Sequence, residues 1–273
     1  FGSVAAGYGL HGGNFGVLNQ PFEVLIIVGA AVGAFVISNT PDVLKGTLGS
    51  LKYLMKGKPY KQDNYLELLT FLFEIFKLIK TKGMLEIESH IENPHESAIF
   101  NKYPGFNNNH HAVDFFCDNL RMMTMGIDNP YQMDDLMSKD LDDHHHHGHA
   151  IGEAVVNFGD SLPALGIVAA VLGVITTMTS ISEPPEVLGG LIAAALVGTF
   201  LGILLSYGVF SPMGKFFIQF YHLEGQYYEV IKVGILALLK GNAPAICVEF
   251  SRKAIPGPDR PSFKEVEEAL AKI

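Results

Sequence analysis

Three groups of residues in this sequence have types and spacings suited to chemistry. The first is Asp142-Asp-His-His-His-His-Gly-His149, whose imidazoles and carboxylates are metal-ligand types. Four adjacent histidines on a regular helix point around its circumference, and no second cluster in the sequence completes a shell. The run is therefore expected to be a solvated linker, with no metal site. The second group is a set of hydroxyls inside long apolar runs: Thr176, Thr177, Thr179, Thr199, Ser206 and Tyr207. Such groups can ligate a passing ion, or simply bond the carbonyl one turn back. The third is the pair Pro163 and Pro212, each of which frees a backbone carbonyl and permits a bend. Each proline marks either a helix end or a flexing point. No nucleotide-binding glycine loop, nucleophile elbow or zinc spacing occurs, so neither an enzyme nor a cofactor is expected.

The elements that must hold these residues are apolar helices. Residues 21–38 form one run with a single charge, Glu23, near its start. Residues 161–182 and 187–212 carry no charged residue at all. Each run has about the 20 residues needed to cross a bilayer core. The opening FGSVAAGYGL is apolar but short, and is expected to be the end of a first span that begins outside the given sequence. Small residues recur on common helical faces, at Gly29 and Gly33, at Gly198 and Gly202, and at Gly166, Ala170 and Gly173. In lipid such stripes let backbones approach closely, within a chain or between copies. A membrane proton or sodium path normally uses Asp, Glu or His at membrane depth. The last two runs offer only hydroxyls and backbone, so any crossing ion needs a carboxylate from another chain.

Composition agrees with a membrane protein. The 273 residues have a mean hydropathy of +0.26, 48% hydrophobic and only 17% charged residues. A net charge of -9 leaves no basic stripe for phosphates, which excludes nucleic acid as a partner. Cys117 and Cys247 are too few for a disulfide framework and read as buried thiols. All 19 Lys and Arg residues fall between Lys45 and Lys139 or between Lys215 and Lys272. By the positive-inside rule these stretches are cytoplasmic and the two short connections without Lys or Arg face outwards.

The fold expected is therefore an all-α membrane protein with four transmembrane helices, the first truncated, and a helical cytoplasmic domain inserted between the second and third. Residues 1–39 hold the first two spans, 40–157 the cytoplasmic domain, 158–212 the last two spans and 213–273 cytoplasmic C-terminal helices. Within the cytoplasmic parts, helices are predicted from Tyr65 to Lys80, over 110–125 and over 131–142 after a break at Asn129-Pro130. Another is predicted over 215–240, and Ser262-Phe-Lys-Glu265 reads as a capping box.

The sequence as a whole resembles the A-type (MotA) subunits of the bacterial flagellar stator, within the MotA/TolQ/ExbB superfamily. The strongest stretches are Gly159-Asp-Ser-Leu-Pro-Ala-Leu-Gly-Ile-Val-Ala-Ala, Val197-Gly-Thr-Phe-Leu-Gly-Ile-Leu-Leu-Ser-Tyr-Gly and Ser211-Pro212. Ile91-Glu-Asn-Pro-His-Glu-Ser, Val248-Glu-Phe-Ser-Arg-Lys and Arg260-Pro-Ser-Phe match as well. The resemblance implies five A-type chains around the single helices of two B-type (MotB-like) chains, whose transmembrane Asp binds the ion. It implies inner-membrane location, and torque delivered by the cytoplasmic domain to a FliG-like switch-ring protein. It puts conformational roles on Pro163 and Pro212, a pore-side hydroxyl on Thr199, and rotor-contact charges on Lys80 and Glu88. Lys80 stands where the family has Arg, which keeps the charge and loses the guanidinium fork. Ala170 stands where sodium-driven relatives have a hydroxyl, so the ion implied is a proton in preference to sodium. Two other readings remain at this point: an ExbB/TolQ-type energising subunit, which shares the five-around-two plan, and a membrane scaffold that conducts nothing.

Overall fold

The computed structural model describes residues 1–273, apart from the side chain of Lys56. Among the described residues the chain is helical and contains no strand. The helices are α1 (Gly2–Leu10), α2 (Phe15–Leu18), α3 (Pro21–Ser38), α4 (Pro41–Ser50), α5 (Tyr53–Lys56), α6 (Gln62–Lys82) and α7 (Met84–Glu92). After these come α8 (Pro104–Asn107), α9 (His110–Thr124), α10 (Pro130–Thr179), α11 (Pro185–Leu205), α12 (Ser211–Leu239), α13 (Pro244–Ala254) and α14 (Phe263–Leu270). A π-helical turn, Ser206–Phe210, joins α11 to α12. The chain divides into two compact units, Phe1–Lys56 with His147–Gln219, and Gly57–His146 with Phe220–Ile273.

The first unit holds the apolar helices. Helices Phe15–Ser38, Pro130–Thr179 and Pro185–Leu239 are long and apolar enough, by length and composition, to cross a membrane. Its interior is narrow: Ile27 and Ala31 of α3 pack with Leu162 and Ala169 of α10. Leu25, Val36, Ile167, Ile175, Leu196 and Ile203 are exposed on the isolated chain. In water an apolar surface of that extent is costly. It is suited to lipid tails or to neighbouring chains.

The second unit is built like a soluble domain. Helix α6 buries Tyr65, Leu68, Leu69, Leu72, Ile75 and Phe76, a set recurring every three or four residues, so one face of the helix lies in the core. Phe71 stacks on Phe106 and meets Phe100 and Phe116 edge-on, which knits α6 to α8 and α9. Each such side chain removed from water contributes about 1.5–3 kcal/mol. Gly83 ends α6 with φ +88°, a left-handed turn that a side chain would strain, and α7 starts at the next residue. The predicted capping box forms: the Glu265 amide donates to Ser262 Oγ at 3.2 Å, and the Ser262 amide donates to Glu265 Oε2 at 2.6 Å. Burial pushes the Cys117 thiol up to about 12 and the Cys247 thiol up to about 11, so both are inert at neutral pH.

Two expectations need correction. The histidine run is no linker, and no break follows residue 142, because α10 continues unbroken from Pro130 to Thr179. The run also has packing partners. The His144 ring lies 4.9 Å from the Tyr228 ring, and its Nε2 is 3.2 Å from Glu224 Oε2. The His145 ring lies 5.8 Å from that of His222. A helix tolerates such residues when a neighbouring helix packs them. The predicted break at Asn129-Pro130 is right, and the helix after it begins at Pro130, one residue before the predicted 131, with the Asn129 side chain accepting the Tyr131 amide at 2.9 Å.

Candidate functional site

The predicted ion-path residues lie in the first unit, on helices held together by glycine. Along α10, Gly152, Gly159, Gly166 and Gly173 recur every seven residues and form one seam. A Cβ at Gly166 would lie 2.9 Å from the Gly198 carbonyl oxygen and 3.3 Å from the Thr199 Cα. One at Gly202 would lie 2.6 Å from the Leu162 carbonyl oxygen, and one at Gly173 would lie 2.7 Å from the Ala195 Cβ. Further along, a Cβ at Gly214 would approach the Gly152 carbonyl oxygen to 2.7 Å. No side chain fits in this seam, so α10 meets α11 and the start of α12 backbone to backbone. Of the four seam glycines, Gly152 and Gly159 lie outside the apolar run, which is why the sequence reading missed them. Gly29 and Gly33 behave differently: they meet almost nothing within the chain.

Pro163 and Pro212 both act near one tier of this seam. Pro163 is inside α10, and its missing N–H leaves the Gly159 carbonyl without its usual helical donor. A Cβ at Gly159 would lie 3.0 Å from the Ser211 amide nitrogen and 2.9 Å from its Oγ. Ser211 precedes Pro212, and its hydroxyl donates to Asp160 Oδ1 at 3.4 Å. The π-helical turn before Pro212 widens the helix, with the Ser211 amide reaching back to the Ser206 carbonyl. Phe158 meets Phe210 at 4.6 Å and Phe35 at 5.8 Å, so α3 packs on the same joint. The prolines therefore stand at a junction of three helices where backbone hydrogen bonding is already irregular.

Ala170 and Thr199 come together further along. A Cβ at Gly198 would lie 3.5 Å from the Ala170 amide nitrogen, and Thr199 is the next residue. Most hydroxyls of α10 bond back to carbonyls: Thr176 to Leu172 at 3.0 Å, Thr177 to Gly173 at 2.9 Å and Thr179 to Thr176 at 2.7 Å. Thr199 is half-buried and makes no such bond among the described residues, which leaves its oxygen available. The buried Ser206 hydroxyl has no partner among the described residues either.

Glu23 lies in the first turn of α3, near the start of its run as the sequence indicates. Its Cγ is 3.5 Å from the position of a Cβ at Gly198, and its Oε2 is sealed from solvent without a hydrogen-bond partner among the described residues. The signal available in sequence was that Glu23 is the only charge in its run.

Lys80 and Glu88 belong to the second unit, on either side of the Gly83 turn, and both are exposed. Lys80 Nζ donates to the Gly241 carbonyl at 3.3 Å. Among the described residues no three His, Cys, Asp or Glu side chains are arranged to hold a metal.

The first unit is thus a glycine-sealed bundle of apolar helices with an uncommitted hydroxyl, and the second a helical unit with an aromatic core and exposed charges. Comparison with known proteins makes the class specific. Residues 1–83 match the family model "Motility protein A N-terminal", and residues 107–229 match the MotA/TolQ/ExbB proton channel family. Motility protein A of Escherichia coli (strain K12) is 40% identical over 272 residues, covering 100% of this chain and 92% of the relative. A Campylobacter structure, "C. jejuni MotAB", superposes with a TM-score of 0.78 at 22% identity, covering 96% of this chain and 94% of that one. The flagellar MotAB stator complex from Bacillus subtilis gives 0.72 at 25% identity, covering 94% and 93%. The chain belongs to the motility protein A family of flagellar stator subunits, a branch of a proton channel family and not of an enzyme family. The match to the N-terminal model separates it from the ExbB/TolQ-type alternative, and the channel family separates it from a passive scaffold.

Proposed function

We propose that this chain is the ring-forming subunit of a proton-driven stator in the bacterial inner membrane, multi-pass, with its large insertion and its C-terminus in the cytoplasm. Five copies surround two single-pass helices of a B-type, MotB-like partner, and lipid covers the outer faces of α3, α10 and α11. Four spans cross the membrane, counting α1 with residues 1–39 as the first two and residues 158–212 as the last two. Residues 40–157 and 213–273 form the cytoplasmic part, which delivers torque to a FliG-like rotor protein through Lys80 and Glu88.

The observation that carries this reading is the lack of any carboxylate on α10 beyond Pro163 or on α11 beyond its first turn, beside an uncommitted Thr199 hydroxyl. Neither helix offers a crossing ion a titrating group of its own here, and both matched structures are of MotAB, an A-type subunit with its B-type partner. Ala170 favours a proton as the ion, because a methyl group cannot replace the water ligands that Na⁺ would shed. Pro163 and Pro212 flex when the partner's Asp gains or loses its proton, and the ring steps. Each elementary charge crossing 100 mV releases about 2.3 kcal/mol, so torque draws on many crossings in succession.

The test is swimming by cells whose only stator subunit is this chain with its partner. Pro163→Leu and Pro212→Leu should abolish swimming while the complex still co-purifies, and a protonophore should stop wild-type cells in sodium-free medium. Normal swimming by either variant would remove the conformational role, and swimming that needs sodium would remove the proton.

A further inference from the structure

We propose that Glu23 is a second protonatable group of the ion path, receiving the proton from the outward side before it reaches the partner's carboxylate. This inference rests on the stator reading above and adds to it a carboxyl of the chain's own. Three observations carry it. Glu23 Oε2 is sealed from solvent and has no donor among the described residues, while the residue as a whole is only half-buried. Glu23, in the first turn of α3, also packs against the interior of α11: its Cγ is 3.5 Å from the Cβ position of Gly198. Finally, the same Cβ position is 3.5 Å from the Ala170 amide nitrogen, and Thr199, assigned to the ion path above, is the next residue along α11.

A buried carboxylate oxygen without a donor or a cation is costly in proportion to its charge. Among the described residues none supplies either to Oε2, and a proton delivered from the outward side would. Pro21 and Phe22 ahead of it are exposed and lead to the connection 11–20, which the basic-residue distribution puts on the outward side. The step is a simple relay. An O–H bond forms at the Glu23 carboxylate as hydronium on the outward side becomes water. That bond breaks as the proton passes to the partner's ionised carboxylate, directly or through one water near Thr199, and Glu23 returns to its charged form. One positive charge moves inward, and nothing is oxidised or reduced. Intramembrane acids are rare for the reason of cost alone, and those retained usually serve a path.

The experiment measures proton entry into cells making this chain with a B-type partner whose plug is removed. Glu23→Gln keeps the shape and removes the acid. It should cut proton entry by about tenfold or more at unchanged co-purification, while Glu23→Asp restores part of the flux with a displaced dependence on external pH. Entry by Glu23→Gln within twofold of wild type, with the same pH profile, overturns the inference and leaves the stator reading standing. A wild-type complex that passes no protons overturns both. If Glu23→Gln fails to assemble, the wild-type complex decides. An apolar carbodiimide reacts with protonated carboxyls in apolar surroundings, so an adduct located on Glu23 by mass spectrometry supports the relay. Absence of that adduct while the partner's buried carboxyl is modified overturns it.

Discussion

Arg252 shows how one residue explains a motif that sequence could only match. In Val248-Glu-Phe-Ser-Arg-Lys, Arg252 Nε and Nη2 each donate to Glu249 at 2.7 Å, and Nη1 donates to the Pro261 carbonyl at 2.9 Å. Arg252 is buried, and its bond to Pro261 ties α13 to the segment leading into α14. Arg252→Lys retains the charge but cannot make both donations to Glu249 and reach Pro261. It should lower the stability of the second unit's fold by about 1–3 kcal/mol, read as an earlier denaturation midpoint of the purified complex. The same fork gives an acid dependence. The Arg252 hydrogen bonds hold the Glu249 carboxyl below its ordinary value of 4.5. The stabilisation is therefore complete above that ordinary value and is lost as pH falls through the lower, folded-state value. Glu249→Gln should flatten this part of the acid limb in thermal melts recorded against pH, and an acid limb identical to wild type would count against the pairing.

At the level of elements, glycine spacing decides what packs. A methyl group at Gly202 would sit 2.6 Å from a backbone oxygen of α10, so Gly202→Ala forces α10 and α11 apart. Gly189→Ala, on the same helix with nothing within 4 Å, is the matched control. The first should cost about 1–3 kcal/mol and reduce recovery of assembled complex, and the second should leave both unchanged. Equal yields of the two proteins would show that the seam does not hold the helices. Much of this level was legible in sequence. The apolar runs located α3, α10 and α11, small residues pointed to Gly166, Gly173, Gly198 and Gly202, and Asn129-Pro130 marked where α10 begins. The rest was not legible for physical reasons. A run of His and Asp lacks apolar periodicity, so its helicity depends on Tyr228, Glu224 and His222 of another helix. A glycine seam that continues past the apolar run has no hydropathy signal. The burial of Glu23 depends on how far α3 starts along α11, which is a matter of tertiary packing.

For the molecule as a whole, the separation of charge in sequence corresponds to a division into two compact units. Unit one, Phe1–Lys56 with His147–Gln219, contains Pro163, Ala170, Thr199, Pro212 and Glu23, whereas unit two contains Lys80 and Glu88. If conduction belongs to the first and rotor contact to the second, a change in the second should break coupling without closing the path. Lys80→Glu is the appropriate change, because Lys80 is exposed and its hydrogen bond to the Gly241 carbonyl, at 3.3 Å, is long. An exposed lysine with such a contact contributes little to folding, on the order of 0.5 kcal/mol or less. Reversal of its charge acts on whatever faces it, and like charges at a docking surface repel strongly enough to suppress association. Cells carrying Lys80→Glu should therefore assemble the complex and, with an unplugged partner, admit protons at the wild-type rate, yet swim poorly and stall first at high load. A charge reversal on the rotor side opposite Lys80 should recover part of the torque. Loss of proton entry together with torque would place Lys80 in the conducting machinery, and unchanged torque at high load would remove it from the rotor surface.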